Sequence, residues 1–164
     1  SATLLIDGNG ADNSAPEAGA AYVFTRSGGA WSQQAYIKPP NTGAHDSFGY
    51  PGLALSADGN VLAAGAHYED SAAVGVAGEQ FDNTAANAGA VYVFVRESDV
   101  WTFESYVKAS NPGPNDDFGV TLALSGSGDT LAVGAWYEGS GVVGLGGDPA
   151  NVISAPSAGA VYVY

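Results

Sequence analysis

The stretch that decides the fold is Ala88-Gly89-Ala90-Val91-Tyr92-Val93-Phe94, a run of small, β-branched and aromatic residues. Nearly the same seven residues stand at 18–24 as AGAAYVF and at 158–164 as AGAVYVY, so successive copies begin at positions 18, 88 and 158, a spacing of 70 residues. A fixed period of this length indicates a repeat protein in which each repeat is one supersecondary unit.

Residues outside this stretch follow the same period. Trp31 has its counterpart in Trp101, and the Phe-Gly pair at 48–49 recurs at 118–119. The chain has only four basic residues, and all of them obey the period, Arg26 with Arg96 and Lys38 with Lys108. We therefore expect about two and a quarter repeats: a partial repeat at 1–46, a full repeat at 47–116 and a partial repeat at 117–164.

One period contains four candidate β-strands. By their β-branched and aromatic residues these are 118–125, 130–136, 89–96 and 101–108, with turn residues such as Asp58-Gly59 between them. Successive residues of a strand point to opposite faces of the sheet, and in these strands the residues on both faces are apolar. A sheet of that kind must lie between two neighbouring layers. The sequence therefore predicts an all-β fold of tandem four-stranded antiparallel β-propeller-type blades. A parallel β-helix is the weaker alternative.

The number of strands predicts that the chain has open ends. The partial repeats supply strands three and four at the start and strands one to three at the end, which gives nine strands in all. A closed propeller needs roughly 4–8 blades, so either the chain is a fragment or its copies associate. The chain begins with Ser and not with Met, and we expect it to be a mature or excised segment.

The chain carries a series of motifs that follow one another in fixed order. These motifs are Phe118-Gly119, LALS at 122–125, LAVGA at 131–135, AGAVYVF and the Trp-x4-Tyr-Val-Lys-Ala run at 101–109. In this series the chain resembles the bacterial FG-GAP repeat family. That resemblance implies blades like those of the integrin α-subunit propeller, a secreted or cell-surface location, adhesion-like roles and, in some members, calcium in the loops. It implies no shared enzymatic activity. Two departures weaken the calcium expectation: the Pro that usually follows Gly-Ala is replaced by His67 and Trp136, and the full Asp-x-Asp-x-Asp-Gly loop is missing.

The composition excludes several classes of protein. The formal net charge is −13, with 17 acidic and 4 basic residues. Nucleic acid and anionic membrane surfaces require a basic footprint, so neither is expected as a partner. No apolar run is long enough to span a membrane, and the absence of Cys excludes a disulfide framework.

The long loop between strands two and three is the most acidic part of each repeat. Calcium prefers six to eight hard oxygen ligands, which carboxylates and loop carbonyls supply. Solvated surface acids are the alternative interpretation. The candidate metal ligands are Glu69, Asp70, Glu79, Asp82, Glu138 and Asp148.

Two aromatic pairs begin this loop in successive repeats. His67-Tyr68 and Trp136-Tyr137 are each followed by Glu. Aromatic groups beside carboxylates are suited to stacking on sugar rings or to docking a neighbouring subunit, and packing on the next blade is the alternative. Glycans, surface proteins, other copies of the chain and further repeats are the partners we expect.

The lysines after strand four, Lys38 and Lys108, suggest two roles. They either discourage pairing at the outer strand edge or meet acidic loops of a neighbouring copy. No arrangement of nucleophile and base typical of a hydrolase is present, since the chain has no Cys and neither a Gly-x-Ser-x-Gly nor a His-Glu-x-x-His motif. We expect a non-enzymatic extracellular structural or adhesive repeat module, or alternatively a calcium-dependent carbohydrate- or ligand-binding module.

Overall fold

The computed structural model describes residues 6–146 and 154–164, and every structural statement below concerns these residues. They form an all-β structure of antiparallel sheets, and no helix among them is long and apolar enough to cross a membrane. The strands are β1 (Ala21–Ser27), β2 (Ala30–Ile37), β3 (Leu53–Leu55), β4 (Val61–Ala66), β5 (Ala90–Glu97), β6 (Val100–Val107), β7 (Phe118–Leu124), β8 (Leu131–Ala135) and β9 (Ala160–Val163).

The strands are grouped into three blades. Blade A is the hairpin β1-β2, blade B is the four-stranded sheet β3-β4-β5-β6, and blade C is the three-stranded sheet β7-β8-β9. This grouping confirms the predicted all-β fold of four-stranded propeller-type blades, with strands three and four at the start and strands one to three at the end. The limits of the repeats themselves remain a prediction.

Each blade has an aromatic face and an aliphatic face, because alternate residues of its third strand point in opposite directions. In blade B, Tyr92 and Phe94 belong to the aromatic face, which packs against Ala21 and Ile37 of blade A. Val91 belongs to the aliphatic face and packs against Phe118 and Val133 of blade C. Consecutive blades therefore stack aliphatic face to aromatic face.

Glycine permits the blades to approach closely. At Gly65, on the face of blade B toward blade C, an added Cβ would overlap the carbonyl oxygen of Gly119. At Gly89, which has φ of +82°, an added Cβ would overlap the Phe118 backbone in the same way. Both glycines lie where the backbones of two blades meet, so the Phe-Gly motif marks a contact between blades.

The first strand of blade B is shorter than its counterpart in blade C. Residues 118–124 form a strand of seven residues, whereas β3 has only three. Blade B has three residues, Tyr50-Pro51-Gly52, between its Phe-Gly pair and Leu53, whereas blade C has only two between Gly119 and Leu122. With this extra residue Gly52 takes the place of Thr121, since its carbonyl accepts from Gly65 N at 2.9 Å. The regular ladder of blade B then begins only at Leu53.

Candidate functional site

A buried polar network joins blades A and B at the end of the sheet where strand two leaves blade B. Glu69 lies at its centre and is enclosed almost completely. Its Oε2 accepts from Lys108 Nζ at 3.0 Å and from Ser71 N at 3.1 Å, and its Oε1 accepts from Asn41 Nδ2 at 3.1 Å. Asn41 follows blade A and also accepts from the Tyr92 hydroxyl at 2.6 Å. Its Nδ2 also donates to the Gln80 carbonyl at 2.6 Å, so a residue of the A–B connection is bonded to three residues of the next repeat.

The same network recurs one repeat later. Asn111 Nδ2 donates to Glu138 Oε1 at 2.9 Å, and Asn111 Oδ1 accepts from the Tyr162 hydroxyl at 2.5 Å. Ser140 takes the place of Ser71 and donates from both its N and its Oγ to Glu138. The one member that is missing is the lysine: within 6–146 and 154–164, no cation lies within ion-pair distance of Glu138.

A second polar contact joins blades A and B at the opposite end of their outer strands. Gln34 Oε1 of blade A accepts from Arg96 Nη1 at 2.9 Å and from Trp101 Nε1 at 3.1 Å. The Arg96 guanidinium also lies over the Trp101 ring, 5.6 Å from its centroid. Gln34 is the extra residue of the β-bulge in β2, since Phe24 pairs with Gln33 and Val23 with Ala35. Glu104 is the extra residue of the same bulge in β6.

The connections between blades also bury two equivalent carboxyl groups. Asp46 Oδ2 accepts from Gly43 N at 2.8 Å, and Asp116 Oδ2 accepts from Gly113 N at 2.6 Å. Burial raises the pKa of Asp46 to about 6, against the opposing effect of the Gly43 hydrogen bond, and the nearby charges of Glu69 and Asp70 add to the increase. Burial likewise raises the pKa of Asp116.

The candidate metal ligands lie in different local environments. Glu69 is held in the ion pair with Lys108, and Asp70 Oδ1 accepts from Asn87 N at 2.8 Å. Glu79 Oε1 accepts from Phe81 N, and Asp82 Oδ2 accepts from Ala72 N and Thr84 Oγ1. Glu138 belongs to the second network, and Asp148 lies outside the described residues. In the described part of the chain, no three His, Cys, Asp or Glu side chains are grouped so that they would hold a metal ion.

The two aromatic pairs differ in exposure. His67 is buried, with Nδ1 2.9 Å from the Tyr50 carbonyl oxygen and its ring 3.9 Å from that of Tyr68. Trp136 and Tyr137 are both about half exposed. Tyr137 lines a pocket of about 260 Å³ together with Asn115, Asp116, Pro156 and three other residues.

The structure corrects one expectation about the lysines and adds residues that the sequence analysis missed. Lys38 and Lys108 do not protect an exposed strand edge, because both are buried at the ends of their strands. Asn41 and Asn111, which bond across the blade connections, were not predicted, although their spacing of 70 residues was visible in the sequence. Gln34 was also missed, since its partner in the next repeat is a different residue, Glu104.

The comparisons with known proteins agree with this architecture. Residues 31–94 match the family model described as FG-GAP repeat. The matched segment begins in β2, includes the A–B connection with Asn41 and ends in β5. No curated protein matches this chain.

Proposed function

The chain carries an FG-GAP repeat, and from this premise we propose that it is a non-enzymatic structural or adhesive module that acts outside the cell by stacking blade on blade. The propeller-type repeat is the established part. The stacking role, the adhesive role and the extracellular location are the proposal.

The observation that carries the proposal is the exposure of the two outermost blade faces. Tyr92 of blade B is completely buried against blade A, whereas the equivalent Tyr22 of blade A is 55% exposed. Val91 is completely buried against blade C, whereas the equivalent Val161 is 72% exposed. The residues on both outer faces are of the type that is buried between blades, and exposed apolar patches of this kind mark interaction sites.

A chain with a net charge of −13 is repelled at long range by an anionic surface. The charge therefore favours a partner that binds by covering these apolar faces. Because the outer aromatic face belongs to blade A and the outer aliphatic face to blade C, the two faces are complementary in the way that the internal faces are. A further blade is the partner they fit best.

A charged residue placed on one outer face tests the proposal. We expect Phe24→Lys, in the middle of the exposed aromatic face, to reduce self-association in sedimentation velocity. Val100→Lys is the matched control, because Val100 is also more than half exposed but begins β6, next to the turn that follows β5. Equal sedimentation of both variants and the parent chain would show that the face takes no part in assembly.

A second candidate function is supported by the pocket at Tyr137. A half-exposed tyrosine beside Asn115 and the Asp116 carboxylate combines a stacking surface with hydrogen-bonding groups, and proteins bind sugar rings with such a combination. We infer a carbohydrate- or ligand-binding module, with calcium as the candidate cofactor, as the alternative to the stacking role.

Glycan binding and calcium are tested separately. A glycan array probed with the chain and with Tyr137→Ala shows whether a sugar binds at this pocket, and signals that are absent or unaffected by the substitution would reject it. Calcium bound to the folded chain would raise the melting temperature, and EDTA would lower it. Identical melting curves with calcium and with EDTA would remove the metal part of the alternative.

A further inference from the structure

We propose that the β1–β2 hairpin of a second copy of this chain displaces β9 and completes blade C as its third and fourth strands. The inference rests on the proposed function, because it specifies how two copies join. Among the described residues, blade C has the strand order β7-β8-β9 with no strand beyond β9, whereas blade B has β6 at the equivalent place.

The backbone of the hairpin fits the edge of β8. In blade B, Ala63 of β4 pairs with Val93 of β5, and in blade C, Ala132 of β8 pairs with Val163 of β9. Val23 of β1 occupies the same place in the repeat as Val93 and Val163. The incoming β1 therefore makes ladder hydrogen bonds equivalent to those that β9 gives up, and addition of a strand from another chain to a sheet is an established mode of association.

Lys38 and Glu138 supply the first charge complementarity. Glu138 is buried without a cation within the described ranges, whereas the equivalent Glu69 is paired with Lys108. Lys38 is buried too, and its ammonium donates to the Gly19 carbonyl. A hairpin seated on β8 places Lys38 against Glu138 as Lys108 lies against Glu69. Pairing removes the penalty of a buried carboxylate that has no counter-charge.

Glu104 and Arg26 supply the second complementarity. In the A–B contact the bulge residue Gln34 accepts from Arg96 and Trp101. The equivalent bulge residue of blade B, Glu104, is exposed, and so are Arg26 and Trp31, the equivalents of Arg96 and Trp101. The seated hairpin brings Arg26 and Trp31 of the second copy to Glu104. The guanidinium already makes the Arg96–Gln34 bond charge-assisted, and because a carboxylate replaces the amide at Glu104, the equivalent contact there is also an ion pair.

The exchange also changes the burial of the hairpin's aromatic groups. Trp31 is 68% exposed, whereas Trp101 is 3% exposed in its finished blade. Tyr22 takes the place of Tyr162, whose hydroxyl is bonded to Asn111. Four residues of β9 are thus exchanged for a hairpin of two longer strands. The exchange keeps the contact of Tyr162 through Tyr22 and adds two ionic contacts, and it gives up the hydrogen bond from the Tyr164 hydroxyl to the Lys108 carbonyl, because Phe24 takes the place of Tyr164.

Engineered disulfides distinguish the exchanged from the unexchanged state, because the chain has no cysteine of its own. We expect Val23→Cys combined with Ala132→Cys to form disulfides between copies and to give a ladder of oligomers on a non-reducing gel. Directly paired strand residues lie within the Cα separation that a disulfide allows. The matched control, Ala132→Cys with Val163→Cys, joins β9 to β8 within one copy, and we expect it to remain without a ladder and to assemble less.

Charge exchange at two exposed positions provides an independent test. We expect Arg26→Glu and Glu104→Arg each to weaken self-association about tenfold or more, because like charges then meet at the contact. An equimolar mixture of the two variants is expected to regain the parent association, since each of its alternating contacts again joins opposite charges. Glu97→Arg, at the exposed end of β5, is the control and is expected to change nothing.

The outcomes separate this inference from the proposed function. A ladder from the first cysteine pair, together with rescue by the mixture, supports hairpin exchange. Self-association without either result overturns hairpin exchange and leaves blade stacking in place. A chain that remains monomeric at every concentration overturns both.

Discussion

The Lys108 ammonium lies 3.0 Å from the Glu69 carboxylate, and both side chains are cut off from solvent. Burial lowers the pKa of Lys108, while the charge of Glu69 acts in the opposite direction. The pair closes a network that extends through Asn41 and Tyr92 to the preceding blade connection. Polar groups therefore hold blade B against the connection that follows blade A, in addition to the apolar packing between the two blades.

Removing one member of this pair is expected to be costly. Lys108→Met leaves the Glu69 carboxylate buried without its cation, which typically costs about 3–5 kcal/mol. In the double variant Lys108→Met with Glu69→Gln no charge remains, so we expect it to be more stable than Lys108→Met alone. Urea denaturation measures the free energy of unfolding of each protein. A double variant less stable than Lys108→Met would contradict the assigned cause.

The connection residue Asn41 gives a second prediction. Asn41→Ala leaves the buried Tyr92 hydroxyl and Glu69 Oε1 each without a partner, and we expect a loss of about 2–4 kcal/mol from two such groups. Asn83→Ala is the control, because Asn83 is exposed and substitutions of that kind usually change stability by about 0.5 kcal/mol or less. Equal unfolding midpoints for the two variants would show that the network contributes nothing.

The raised pKa of Asp46 predicts that the stability of the fold depends on pH. Its pKa is raised from 3.8 to about 6 in the folded chain, chiefly by burial, so the folded state favours the protonated form. Its stabilising contribution is complete below about pH 4 and is lost as the pH rises through 6. Asp46→Asn is therefore expected to gain stability relative to the parent between pH 4 and pH 8, by about 3 kcal/mol at most.

Asp58 is the matched control for this titration. It is exposed, and hydrogen bonds from Ser56 and Asn60 lower its pKa to about 2. Because its folded pKa lies below the unfolded one, Asp58 loses its contribution only as the pH falls from about 4 toward 2. The difference between Asp58→Asn and the parent should thus be constant from pH 5 to pH 8. Thermal melts over that range measure both variants, and a flat difference for Asp46→Asn would refute the prediction.

Gly65 gives a prediction about blade packing. Gly65→Ala places a methyl group against the Gly119 carbonyl of the next blade, and since backbone cannot move aside as a side chain does, we expect a loss of about 3 kcal/mol or more. Gly126→Ala is the control, because the added Cβ would meet only the Ala57 Cβ at an ordinary distance of 3.6 Å. Similar unfolding free energies would show that blades B and C are not in close contact at this point.

The repeat made most of the fold predictable. The spacing of 70 residues and the alternation of Val91 and Tyr92 were sufficient for the strands, their antiparallel order and the two packed faces, because a period of two fixes which residues share a face. The shorter β3 was not predicted, since the one extra residue between Gly49 and Leu53, compared with the next repeat, was not considered.

The candidate site was predicted only in part. Glu69 and Glu138 were identified as notable acids, but their enclosure by Asn41 and Asn111 depends on connections that fold back over the next blade. Such contacts join residues 27 or 28 positions apart, and no local pattern indicates them. The burial of Lys108 has the same origin, because its position at the end of a strand is equally typical of an exposed side chain.

The measurement that tests the central claim most directly is the molar mass of the 164-residue chain by light scattering after size exclusion, over a range of concentrations. If the exposed faces of blades A and C are docking surfaces for further blades, the mass rises above 16.4 kDa as the concentration increases, and Phe24→Lys reverses the rise. A folded chain that keeps the mass of a single copy at every concentration would contradict the account.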